Sequence, residues 1–102
     1  MAQQSNQSRQ QTGGTRLPED STMLYATKLA LKENKPIYLT YWLDSLNNKV
    51  VIYTDKKTNE RVILKDKEEY TSPIVQKYNN NGDSICCTEN SIYIVAETIR
   101  NV

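Results

Sequence analysis

From Ile37 to Leu43 the chain reads Ile-Tyr-Leu-Thr-Tyr-Trp-Leu, apolar at nearly every position and carrying the only tryptophan. Strand side chains alternate between faces, so Ile37, Leu39, Tyr41 and Leu43 would share one side, and Tyr38, Thr40 and Trp42 the other. A strand with one wet face alternates apolar with polar residues; a run apolar on both faces is a central strand, or one whose second face meets another body. The run predicts a binding surface of Tyr38, Thr40 and Trp42 with neighbouring Tyr53, unless a helix of the same domain covers it.

A helix is in fact expected just before the run. Pro18, Glu19 and Asp20 lead into residues 21–33, where Asp20 or Ser21 can accept the orphan backbone donors of the first turn and the acidic pair suits the positive end of the dipole. Asn34-Lys35-Pro36 stops it, because a proline drives the residue before it out of the helical region. Met23, Ala26 and Ala30, with Leu24 and Leu31, fall at helical spacings beside a polar ridge of Lys28 and Lys32, the pattern of an amphipathic helix lying on something apolar.

Beyond Pro36, short β-branched and aromatic runs alternate with Asn, Asp and Gly clusters. Six strands are expected, at 37–43, 49–54, 61–65, 72–78, 84–88 and 91–97, with Asn81-Gly82-Asp83 the strongest turn signal. Every link is short, which favours antiparallel hairpins. The predicted class is mainly β (α+β): an N-terminal helix followed by a six-stranded antiparallel meander forming a small roll or barrel. Its general shape resembles the Sm-like, SH3-like and Tudor-like small barrels. The Asp-x-x-x-Asn and Arg-Gly or Lys-Gly patterns of an Sm nucleotide pocket are missing from the expected strands, so no residue role is carried over.

Residues 1–16 hold five glutamines, two serines, two threonines and Gly13-Gly14, too little apolar surface to offset the entropy of ordering. The expected organisation is a disordered polar arm over 1–20, a candidate tether, and one β-rich domain over 21–102. No apolar leader or membrane-length run stands in the sequence, so an intracellular, soluble protein is expected. Cys86 and Cys87 are adjacent and would point to opposite faces of a strand, one into the core and the other outward as a free thiol. With two cysteines and no histidine, a Cys/His zinc site cannot be assembled.

Catalysis has little support. No histidine, no nucleophile elbow and no glycine-rich phosphate loop are present, and Asp66, Glu68 and Glu69 form a turn-like acidic group whose spacing fails a calcium loop. No enzyme and no cofactor are expected. Tyr38, Tyr41, Trp42, Tyr53, Tyr70, Tyr78 and Tyr93 could stack bases, with Lys49, Lys56, Lys57, Arg61 and Lys65 following a phosphate backbone; this gives the alternative of a single-stranded nucleic-acid module. Against it, Asp55, Glu60 and Asp66 interleave with those cations, and the net charge is only +1. Tyrosine and tryptophan serve equally well as protein-interface anchors. Thr71-Ser72-Pro73 matches a phosphorylation pattern that chance supplies often.

Ten asparagines and nine lysines without a phenylalanine indicate a biased coding sequence. The runs Glu-Tyr-Thr-Ser-Pro-Ile at 69–74 and Thr-Glu-Asn-Ser-Ile-Tyr-Ile-Val at 88–95 resemble small proteins of large DNA viruses. That resemblance covers a little over half the chain and implies a virion component without naming an activity. The expected function is a non-enzymatic protein-interaction or assembly module, with a protein partner or self-association and no membrane.

Overall fold

The computed structural model describes residues 16–102; of the arm expected over residues 1–20, residues 1–15 lie outside them. Helix α1 (Asp20–Glu33) ends where its proline signal demands, with Asn34 in the left-handed region (φ 56°) and its N–H on the Ala30 carbonyl. Neither Asp20 nor Ser21 caps the start, contrary to expectation. The carboxylate of Asp83, far along the chain, accepts the Glu19 N–H at 2.8 Å and the Thr22 hydroxyl at 2.7 Å instead. The buried stripe is Thr22, Ala26 and Leu29, while Leu24 and Leu31 of the expected apolar face remain exposed.

Two sheets follow in place of one meander. The elements are β1 (Ile37–Tyr38), α2 (Trp42–Leu46), β2 (Val51–Thr54), β3 (Arg61–Asp66), β4 (Glu69–Tyr70), β5 (Gln76–Asn80), β6 (Asp83–Cys87), β7 (Ile92–Ala96) and β8 (Arg100–Asn101). The first sheet has the order β1-β7-β6-β5 and the second β4-β3-β2-β8. Among the described residues both keep open edges, so no barrel closes. Two pairings are parallel, β1 with β7 and β2 with β8, and join segments distant in sequence. Short hairpin links could not reveal these. The hairpins β2–β3 and β5–β6 match the expected turns, the latter with Asn81 and Gly82 both at positive φ (50° and 87°), the geometry of a tight hairpin turn.

The chain stacks in three layers, helix on sheet on sheet. Ala26 and Leu29 of α1 pack with Trp42, Ile85, Cys87, Ile92, Ile94 and Ala96. On the other face of the first sheet, Cys86 and Val95 meet Ile52 and Ile63 of the second and Val50 just before β2, with Tyr41, Ile74 and Ile99 closing the ends. The strand covered on both faces is therefore β6, buried at all five positions.

The run 37–43 departs from its expected strand after two residues. Tyr38 ends β1, and Trp42 N–H bonds to the Leu39 carbonyl at 3.1 Å as the chain turns into α2. Ser45 fixes that helix from both sides, its hydroxyl donating to the Trp42 carbonyl at 2.6 Å and accepting the Ala96 N–H at 2.8 Å. A short apolar run has no period long enough to separate strand from helix, and here tertiary bonding selects helix.

Both thiols are buried, which corrects the expected outward cysteine. Helix α1 covers the Cys87 side of β6 and the second sheet covers the Cys86 side. Burial pushes the Cys86 thiol up to about 11, with nearby Lys77 pulling the other way, and burial likewise raises Cys87. Native protein at pH 8 is expected to leave both thiols unreacted with a thiol reagent on the minute scale, and urea to release both together. Prompt labelling of one thiol would contradict the layer order. The sign of the pH effect follows. An unfolded thiol ionises near 9 while Cys86 stays protonated to about 11, so its stabilising contribution is complete below pH 9 and fades between 9 and 11. Cys86→Ala is expected to flatten that fall in denaturation midpoint.

Candidate functional site

With the helix on one side of the first sheet and the second sheet on the other, one broad sheet face has no covering layer among the described residues: the outer face of β2, β3 and β4. Alternation dictates its members. Ile52 and Ile63 point into the core, so their neighbours Val51, Tyr53, Val62 and Leu64 point out. Register then sets Tyr53 beside Val62, Val51 beside Leu64, and Leu64 beside Tyr70. Val51, Val62 and Leu64 belong to neither core.

These residues form a groove of about 390 Å³ lined by Tyr53, Asp55, Glu60, Val62, Leu64, Lys67 and Tyr70. Val62 and Leu64 make its floor. Tyr53 on β2 and Tyr70 on β4 stand as opposite walls, 41% and 59% exposed, which leaves most of each wall open to contact. The walls are held from behind. Asp55 Oδ1 accepts the N–H groups of Lys57 (2.7 Å) and Thr58 (3.3 Å), which sets the β2–β3 turn below Tyr53. Asp66 Oδ1 does the same for Glu68 (2.8 Å) and Glu69 (2.9 Å), and the buried Tyr41 hydroxyl donates to Glu69 Oε2 at 3.0 Å, pinning β4. Burial and then that carboxylate push the Tyr41 phenol up to about 12, so the tie holds throughout the neutral range.

Charge is divided lengthwise. Asp55 and Glu60 lie at the β2–β3 end of the groove and Lys67 at the β3–β4 end. Of the ion pairs among the described residues, none takes Glu60 or Lys67.

The four residues expected to form one surface are dispersed. Trp42 is 4% exposed beneath α1, its indole N–H donating to the Arg16 carbonyl at 2.8 Å. Tyr38 sits at the edge of the first sheet against Tyr93, with ring centroids 5.6 Å apart, and Thr40 is exposed in the turn before α2. Only Tyr53 reaches the groove. The cations expected to follow a nucleic-acid backbone are dispersed too. Arg61 and Lys65 share the inner face of β3 with Ile63, Lys65 is paired with Asp44 at 3.3 Å, Lys56 and Lys57 ride on the β2–β3 turn, and Lys49 precedes β2. Of the phosphorylation candidates, Thr71 is buried, its oxygen accepting the Ile63 N–H, and Ser72 is exposed. No group of three or more potential metal ligands, and no helix long and apolar enough to cross a membrane, occurs among the described residues.

Val62, Leu64 and Tyr70 are absent from the expected surface, yet the signal for the first two is plain in the sequence. Val50-Val51-Ile52-Tyr53 and Val62-Ile63-Leu64 are apolar on both faces, by the criterion that singled out residues 37–43. Comparison with protein-family models, with curated proteins and with solved structures gives no match.

Proposed function

We propose that this chain is a non-enzymatic assembly module that docks protein on the outer face of its second sheet. The observation that carries the reading is the uncovered apolar groove, walled by two half-exposed tyrosines and backed by a doubly packed sandwich. An antiparallel sheet usually turns polar side chains to water, and this one turns Val51, Tyr53, Val62, Leu64 and Tyr70. Tyrosine walls suit protein contact, since each buries a large area at little rotamer entropy. The lining supports protein over nucleic acid, having two carboxylates against one lysine. We place the chain among small structural components, the virion type that residues 69–74 and 88–95 resemble.

Magnitudes set the kind of complex. Counted over the four residues of β2, the six of β3 and the two of β4, at about 3.3 Å per residue and about 4.8 Å between strands, the face is roughly 200 Å². At ~25 cal/mol/Å² its apolar burial yields about 5 kcal/mol per partner, comparable with the ~4–15 kcal/mol lost on association. The complex is therefore weak unless the rims contribute or several faces act together.

Leu64→Asp plants a charge on the groove floor without touching either core. It is expected to weaken binding of the wild-type protein's partner, whether another protein or itself, by tenfold or more, at less than about 1 kcal/mol of folding stability. Leu31→Asp, on the solvent side of α1, is the control and leaves binding unchanged. The opposite pattern in a pull-down and titration series would move the docking surface to the helix and overturn the reading.

A further inference from the structure

The groove's own charges name an occupant. We infer that it is a second copy of this chain, packed face to face about a two-fold axis lying in the interface and running across the strands. This rests on the outer face being a docking surface, and it adds which body docks and how.

Two such axes are open to a face-to-face pair of identical sheets. An axis along β3 keeps strand direction and sets Asp55 and Glu60 of one copy against Asp55 and Glu60 of the other, four carboxylates at one end and two lysines at the other. An axis across β3 reverses strand direction, bringing Glu60 and Asp55 of each copy over Lys67 of its mate. Like charges brought together oppose association, whereas the reversed arrangement pairs them twice by symmetry. Further out on the same turns the signs invert and the same axis still sets opposite charges together: Lys56 and Lys57 share the acidic end, and Asp66, Glu68 and Glu69 share the Lys67 end, all exposed.

The apolar residues fit the same axis. With the two-fold near Ile63, Tyr53 of each copy falls over Val51 of the other, because Val51 and Tyr53 lie on the same side of β2, one toward each end. Tyr70 of each copy falls beside Val62 of the other, over the segment that continues from β4 along that flank of β3, where Thr71 N–H bonds to the Ile63 carbonyl and Ile74 N–H to the Arg61 carbonyl. A face of roughly 200 Å² per copy buries about 400 Å² in all, well under the ~1,200 Å² of a durable interface, so the dimer forms only at high concentration or where copies are held together.

Sedimentation equilibrium of the chain from about 10 μM to 1 mM reads this directly. The wild type is expected to pass from monomer toward dimer over that range. Glu60→Lys and Lys67→Glu each set like charges face to face twice and are expected to weaken the dimer tenfold or more. The double variant Glu60→Lys/Lys67→Glu restores opposite pairing and returns the constant to within about threefold of wild type. Rescue is a readout that misfolding cannot imitate. Dimerisation lost in Leu64→Asp but untouched by either reversal would overturn the reversed two-fold while leaving the docking face in place. A wild-type chain monomeric to 1 mM would overturn the second copy as occupant, and the Leu64→Asp comparison with another protein partner would then decide the docking face by itself.

Discussion

Trp42→Ala is expected to remove about 3–5 kcal/mol of folding stability, from a domain whose total is about 5–10 kcal/mol. The indole is packed among Ala26, Leu29, Ile85 and Ile94, where α1 lies on the first sheet, and its removal leaves a cavity that the surrounding strands cannot close. Two directional contacts go with it, the N–H bond to the Arg16 carbonyl at 2.8 Å and the Arg16 guanidinium 4.8 Å above the ring. Urea denaturation followed by circular dichroism should show the midpoint falling by about a third or more of its wild-type value. The distinction matters for function. A variant at Trp42 that lost partner binding would report loss of fold, and Trp42→Phe, which keeps the packing without the N–H, is expected to recover most of the stability.

Asp83→Ala is expected to cost about 3 kcal/mol, the second largest single effect. Its carboxylate is fully buried at the start of β6 and ties the first described residues to the domain. Oδ2 accepts from Glu19 N–H and the Thr22 hydroxyl, so removal leaves the opening of α1 with buried donors unpaired. Oδ1 lies 2.9 Å from Arg16 Nη1 in an ion pair whose angles fall short of a hydrogen bond, while Arg16 Nη2 donates to the Gly82 carbonyl at 2.9 Å. Because the Arg16 side chain is about one third exposed, water screens the pair, and Arg16→Ala, which leaves the Glu19 and Thr22 donors on the carboxylate, should cost about 1 kcal/mol. A double-mutant cycle measures the pair. Coupling near 1 kcal/mol with an Asp83 term near 3 assigns most of Asp83's effect to capping, and an Asp83→Ala stability equal to wild type would refute this role.

That cap shows why part of the fold escaped the sequence. The stop of α1 was legible because Asn34 and Pro36 act locally, and the β5–β6 turn because Asn81 and Gly82 supply positive φ within two residues. The start of α1 depends instead on a carboxylate some sixty positions later, which no local pattern announces. Residues 16–20, grouped with the arm on composition, are drawn into the fold by the same distant group and by Trp42. The parallel pairs β1–β7 and β2–β8 are equally non-local.

For the candidate site the failure was different in kind. Double-sided apolarity is a sound sign of two buried faces, and β6 and the outward residues of β2 and β3 show both of its outcomes. Applied to residues 37–43 it mistook a turn into a helix for a strand, since Trp42, Ser45 and Leu46 bury one helical side as readily as alternate residues bury a strand face. Applied to residues 50–53 and 62–64 it would have found the groove. Tyr70 was hidden because Asp66–Thr71 reads as turn and contains a strand of two residues.

The most direct measurement is the backbone amide spectrum of isotope-labelled protein, recorded from dilute to concentrated solution and then with any partner it captures. Shifts confined to 51–55, 60–67 and 69–70 are expected, growing with concentration, with α1 unchanged. Shifts gathered on the solvent side of α1 or along the β5 edge, with the second sheet silent, would contradict it.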